Sequence, residues 1–104
     1  MPDDDQIASV ARALAHPARV HIVRLLATQS ECRGAEVFTD LPLAQSTISE
    51  HLRVLKDAGI ISSRPVGTSN VNCIVPEVLV LLSDALTEII SATPNCSTER
   101  KCAS

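Results

Sequence analysis

Aromatic side chains are almost missing from this chain: Phe38 stands alone, and neither tryptophan nor tyrosine occurs. The core must therefore be built from Leu, Ile, Val and Ala, and stacking platforms for single-stranded nucleic acid are excluded. An excess of positive charge is missing too. The formal net charge is −3, which excludes a strongly basic protein that grips DNA regardless of sequence. That acidity is local, because Asp3, Asp4 and Asp5 supply −3 by themselves and residues 6–104 sum to zero. No apolar run is long enough to span a bilayer, and no basic stretch followed by an apolar one marks a secretory leader. A cytoplasmic protein with no membrane partner is expected. Nucleophile–base pairs, glycine-rich phosphate loops and paired carboxylates do not stand out, so neither an enzyme nor an organic cofactor is expected.

What is present suits one small folded domain. The 104 residues are 45% hydrophobic and 20% charged, ordinary values for a chain with a single core. Ile7, Val10, Ala11 and Leu14 recur at helical spacing and predict a first helix from Gln6 to Leu14. Pro17 interrupts, and a second helix follows from Ala18, its Val20, Ile22, Val23, Leu25 and Leu26 nearly continuous. Ala35–Thr39 predicts a short helix packed through Val37 and Phe38, with a turn at Leu41-Pro42-Leu43. Ile60–Arg64 and Asn70–Val75 read as two strands joined by Pro65–Ser69, a loop too long for a two-residue turn. Pro76 opens a last helix, and Pro94 closes it. Its stripe of Val78, Leu82, Ala85, Leu86, Ile89 and Ile90 is widened by Leu79, Val80 and Leu81. Such a helix needs two covering surfaces, its own domain and a second copy of the chain.

The helix from Gln45 to Ala58 carries the functional signal. Ile48, Leu52 and Leu55 form one apolar stripe, while Ser46, Ser49, Glu50, Arg53 and Lys56 lie across from it. Thr47 and Glu50 have capping-box spacing, Ser46 is an alternative cap, and Gly59 suits the left-handed stop. A helix, a short turn, a second helix with a polar outer face and a β wing make a major-groove reader. The fold class expected is mainly α with a two-stranded β wing: a dimeric winged helix-turn-helix over residues 1–92, with a cysteine-containing tail at 93–104. The partner expected is double-stranded operator DNA. Its candidate contacts are Gln45, Ser46, Thr47, Ser49, Glu50, His51, Arg53, Lys56 and Arg64, with packing as the other role open to His51.

The run Leu43-Ala-Gln-Ser-Thr-Ile-Ser-Glu-His-Leu-Arg-Val-Leu-Lys-Asp-Ala-Gly-Ile60, with Ala15-His-Pro-Ala-Arg-Val-His-Ile-Val-Arg-Leu-Leu26 before it, resembles the arsenic-repressor family of metal-responsive repressors. The likeness covers about residues 7–90. It implies a homodimer joined through the first and last helices, bound to DNA without ligand and released by a metal or metalloid. Two positions depart from the family pattern. Ala44 stands where a serine is usual, and the Cys-x-Cys pair common before the turn falls on Arg33 and Ala35.

Cysteine chemistry then moves to the tail. Cys96 and Cys102 sit in a polar segment that can fold both sulfurs onto one centre, and Arg100 and Lys101 favour the Cys102 thiolate. In a cytoplasmic chain four cysteines read as thiols for metal or redox chemistry more than as structural disulfides. Trivalent arsenic or antimony, the inducers expected, take three sulfurs. The third ligand is open between Cys73, Cys32, the partner's tail and a non-protein group, and a methylated arsenical needs only two. Zinc fits less well, since the last helix offers Asp84 and Glu88 but no histidine. Alternation through Val71, Cys73 and Val75 reads Cys73 as a core residue. A redox or persulfide switch through a Cys96–Cys102 bridge is the alternative to metalloid binding.

Overall fold

A computed structural model describes residues 3–29 and 32–94. The two tail cysteines, Cys96 and Cys102, lie outside the described residues. The chain forms α1 (Asp4–Ala13), α2 (Pro17–Ala27), a short 3-10 helix (Ala35–Phe38), α3 (Gln45–Asp57), β1 (Ile61–Val66), β2 (Ser69–Ile74) and α4 (Pro76–Ala92). This is the expected winged helix-turn-helix order.

Local chemistry sets most of the boundaries. The Asp3 carboxylate accepts from the Gln6 N–H at 2.8 Å and caps α1. Pro17 does not merely interrupt: it is the first residue of α2, and His16 caps that helix by accepting from the Ala18 N–H through Nδ1 at 3.1 Å. At the other end of the reading unit, Gly59 adopts φ 82°. The Ile60 N–H donates to the Leu55 carbonyl (3.0 Å) and the Gly59 N–H to that of Lys56 (2.9 Å). These two bonds, with Ile60 and Leu55 both fully buried, are the Schellman stop.

Two expectations about local structure are corrected. Neither Ser46 nor Thr47 caps α3; the first residue outside the helix is Ala44, which has no capping side chain. The 3-10 helix and the turn after it already fix the approach, and the Ala44 carbonyl accepts from the N–H groups of Thr47 and Ile48 at 3.0 Å each. The hairpin is also tighter than predicted. Val66 pairs with Ser69 and Pro65 with Asn70, so the loop is only Gly67-Thr68, with Gly67 at φ 64°. Pro65 is tolerated inside β1 because that strand lies at the edge of the sheet.

Val10, Ala13, Ile22, Leu26, Phe38, Ile48, Leu55, Ile60 and Ile61 make the core. It joins α1, α2, the 3-10 helix, α3 and the root of the wing. Helix α4 contributes only half-buried residues, Val78, Leu79 and Leu82, from its first turns. Farther along, Leu86, Ile89 and Ile90 are 52%, 62% and 72% exposed. Among the described residues, one apolar stripe is therefore covered by its own domain at the start and left uncovered at the end. No helix among the described residues is long and apolar enough to cross a membrane.

Candidate nucleic-acid interface

Helix α3 presents two chemically distinct faces. Ile48, His51 and Leu55 are buried, while Gln45, Ser46, Thr47, Ser49, Glu50, Arg53 and Lys56 are exposed. The first turns carry small hydroxyl and amide groups suited to base edges, and the charges sit farther along. On the wing, Arg64 is exposed in β1 opposite Val71. Reading helix and wing thus bring eight of the nine candidate contact residues to the surface.

The ninth, His51, is removed from that surface. It is only 8% exposed, with its ring 4.6 Å from that of His16. Arg19 spans the gap between helices, donating through Nε to the Ala13 carbonyl at 2.7 Å and lying 3.4 Å from His51 Nδ1 through Nη1. A guanidinium can only donate, so that nitrogen is placed to accept. Burial pushes the His51 pKa down, and the neighbouring His16 and Arg19 add to the shift against the opposing pull of Glu50. His51 therefore positions α3 on α2 instead of touching DNA. A consequence for pH follows. Above the ordinary value of 6.5 the ring is neutral folded or unfolded, and stability is unaffected. Below it the unfolded chain takes up a proton that the folded ring resists, so stability falls as pH drops. Urea midpoints at about pH 7.5 and 5.5 should show that loss, and His51→Gln should reduce it.

Arg53 faces outward but is not an isolated cation. Its Nε lies 2.6 Å from Glu50 Oε2 and its Nη1 2.8 Å from Asp57 Oδ2. The guanidinium hydrogen bond holds the Glu50 carboxyl below its usual range and raises the pKa of Arg53 itself. All three side chains are more than half exposed, so the pairs add little stability. Their effect is on the field that DNA meets: Glu50, Arg53, Lys56 and Asp57 sum to zero. Among the described residues no ion pair involves Lys56 or Arg64. Lys56→Ala should weaken duplex binding and lower the slope of log K against log salt by about one. Arg53→Ala should weaken it further, because it leaves two carboxylates facing the phosphates. Fluorescence anisotropy across a salt series measures both, and two unchanged slopes would place the contact surface elsewhere.

The largest departure from the sequence reading is at the cysteines. Cys32 and Cys73 form a disulfide, with Cα atoms 4.7 Å apart. While that bond is closed neither sulfur can serve as a third metalloid ligand, and the expectation of thiols alone is corrected for this pair. Cys73 is not a plain core residue either. The strand phase is one residue away from that predicted, so Asn72, 6% exposed, is the side chain turned inward. Its Oδ1 accepts from Ser63 Oγ at 2.7 Å and its Nδ2 donates to the Arg33 carbonyl at 3.4 Å. Arg33 and Asn72 also exchange backbone bonds at 3.1 and 2.7 Å. The chain before the 3-10 helix thus adds one bridge to the inner edge of the wing. Sequence reasoning missed this lock because nothing near residue 32 or 72 points to a partner so distant in the chain. No group of three His, Cys, Asp or Glu side chains suited to a metal occurs among the described residues.

A solvent-facing recognition helix, the short helix and turn before it and a two-stranded wing define a winged helix-turn-helix DNA-binding transcriptional regulator. Residues 16–63 match the model of the bacterial regulatory protein arsR family, and the chain belongs to that family. It is 36% identical over 73 residues to an uncharacterized HTH-type transcriptional regulator of Methanocaldococcus jannaschii, an overlap of 70% of this chain and 82% of the relative. An ArsR-like transcriptional regulator from Rhodococcus superposes with a TM-score of 0.72 at 25% identity, over 95% of this chain and 88% of that one. A Mycobacterium bovis domain, described as the homodimeric winged helix-turn-helix DNA-binding domain of a possible ArsR-family regulator, gives 0.65 at 32% identity, over 84% and 79%.

Proposed function

We propose that this protein is a homodimeric repressor that holds its operator through α3 and the wing, and that trivalent arsenic or antimony releases it by binding the thiolates of Cys96 and Cys102. The observation that carries the DNA-reading part is the exposed polar run Gln45–Ser49, set at the start of a helix whose opposite face is locked in the core by Ile48 and Leu55. Dimerisation is supported by the uncovered end of the α4 stripe, Leu86, Ile89 and Ile90, and by the homodimeric M. bovis relative. The inducer site is supported by soft-ligand chemistry: while Cys32 and Cys73 are bonded to each other, Cys96 and Cys102 are the chain's two other cysteines for a metalloid.

In this reading the free dimer fits two successive major grooves. Metalloid binding by the tail favours a dimer geometry that fits them less well, through a coupling of about 1–3 kcal/mol. Titrating the dimer–operator complex with arsenite, antimonite, methylarsenite, zinc and cadmium tests it. Release by the trivalent arsenic and antimony compounds, lost in Cys96→Ser and in Cys102→Ser, is the expected result. Undiminished release in both variants would overturn the tail site. Release by peroxide or persulfide but not by metalloid would favour the Cys96–Cys102 bridge instead.

A further inference from the structure

We propose that Cys32 and Cys73 are a reversible thiol–disulfide switch, through which small-molecule disulfides set how tightly the protein holds its operator. This adds a second control to the DNA-reading assignment and rests on it.

The geometry begins with the backbone. Arg33 and Asn72 exchange both of their N–H···O bonds, which makes them a hydrogen-bonded antiparallel pair. Residues 32 and 73 are then the adjacent pair without hydrogen bonds, where Cα atoms approach to about 4.5 Å. The observed 4.7 Å matches that spacing and lies in the range a disulfide bridges. The bond can thus form or open while the bridge beside it stays in place. Opening it leaves the wing tied to the chain before the 3-10 helix by the Arg33–Asn72 backbone bonds and the Asn72 side chain.

The bond encloses the whole reading unit. The two cysteines are 41 residues apart, and the chain between them contains the 3-10 helix, α3 and all of β1. Closing the loop fixes the wing, with Arg64, relative to the segment that leads into the recognition helix. A wing already held in place loses less freedom on docking, so the bonded form should bind DNA more tightly.

Access and setting both favour reversibility. Both cysteines are half-buried, and they line a groove of about 330 Å³ together with Leu26, Gln29, Asn72 and Pro76. A small disulfide can approach the sulfurs there. A regulator works beside the chromosome, where cellular thiols keep most cysteines reduced and disulfides are usually transient and regulatory.

The chemistry is exchange with a low-molecular-weight disulfide. The thiolate of one cysteine attacks a sulfur of the small disulfide, forming a mixed disulfide and expelling a small thiolate, which takes up the proton lost by the cysteine. The second cysteine, as thiolate, attacks the mixed disulfide at the protein sulfur. The Cys32–Cys73 bond forms, the second small thiolate leaves and is protonated. Two protein thiols are oxidised and one small disulfide is reduced to two thiols.

The test uses the full chain with Cys96→Ser and Cys102→Ser, so that only this pair reports. The protein is equilibrated in buffers of varied oxidised-to-reduced glutathione ratio. Thiols are then counted by alkylation and mass mapping, and operator affinity is measured by anisotropy. Cys32 and Cys73 should become alkylated together, and affinity should fall about tenfold across the same transition, within the span common for coupled equilibria. Cys73→Ser should be insensitive to the buffer and stay at the weak level. Cys32→Ser, altered outside the hairpin, should match it, and circular dichroism should show both variants folded. Equal affinity in both redox states, tighter binding by the reduced form, or no Cys32–Cys73 bond under oxidising buffer would overturn the switch. Absence of operator binding in every buffer would overturn the DNA-reading assignment itself.

Discussion

Ile89→Asp should turn the protein into a monomer and lower operator affinity by about 100-fold or more. Ile89 lies on the part of α4 that the domain leaves uncovered, between Leu86 and Ile90, and all three are more than half exposed. Burying one such side chain stabilises an interface by about 1.5–3 kcal/mol, and a two-fold interface contains each one twice. A carboxylate there removes that gain twice and confronts its own symmetry mate or an apolar surface, where it is costly to desolvate. A dimer holds two half-sites with one ordering cost, and a monomer holds one. Because Ile89 is 62% exposed and is not part of the buried core, the melting behaviour of the monomer unit should change little. Sedimentation at micromolar concentration and operator anisotropy read the two effects. A variant that remains dimeric with unchanged affinity would show that α4 is not the interface.

Phe38→Ala should cost about 3–5 kcal/mol of stability, the range for emptying a buried aromatic site. Phe38 is 1% exposed and is the only Phe, Tyr or Trp in the chain, so no second large apolar ring can fill the space. It belongs to the 3-10 helix and packs in the core that also holds Ile48 and Leu55 of α3. The substitution thus undermines the support of the recognition helix as well as the core. For a domain this small each kcal/mol shifts the midpoint by about 4–8 °C, so a drop of about 15 °C or more is expected in a thermal melt. A drop of only a few degrees would mean that the core closes over the gap and that Phe38 is not its keystone.

Much of this was legible in the residues. The stripe of Ile48, Leu52 and Leu55 located α3 to within one residue of its end, because a helix on a core must repeat its apolar side chains every three or four positions. Gly59 marked the stop for a reason visible in sequence, the left-handed conformation. The wing was legible as a hairpin, but its turn was not. Pro65 suggested a loop, and only the edge position of β1 lets proline remain in the ladder. Ser46 and Thr47 look like caps by spacing, yet the turn through Leu43 brings the chain in with Ala44 at that place.

The interface was less legible than the fold. His51 shares a polar run with Ser49 and Arg53, and only the helical phase, with Arg19 and His16 packed against it, turns it inward. Arg53 reads as a DNA cation, but Glu50 and Asp57 stand one turn away on each side and engage it. The Cys32–Cys73 bond depends on which edge of β2 receives the chain before the 3-10 helix. That is a tertiary fact with no local signature, and the same holds for Asn72 at the centre of the lock.

The central claim, that a dimer of this chain reads DNA with α3 from each subunit, is tested most directly by selecting bound duplexes from a random-sequence pool. The expected result is enrichment of a two-fold palindrome whose half-sites are centred about one helical turn, ~34–36 Å, apart or at a multiple of that spacing. Recovery of no preferred sequence, or of a single unrepeated site, would contradict the account.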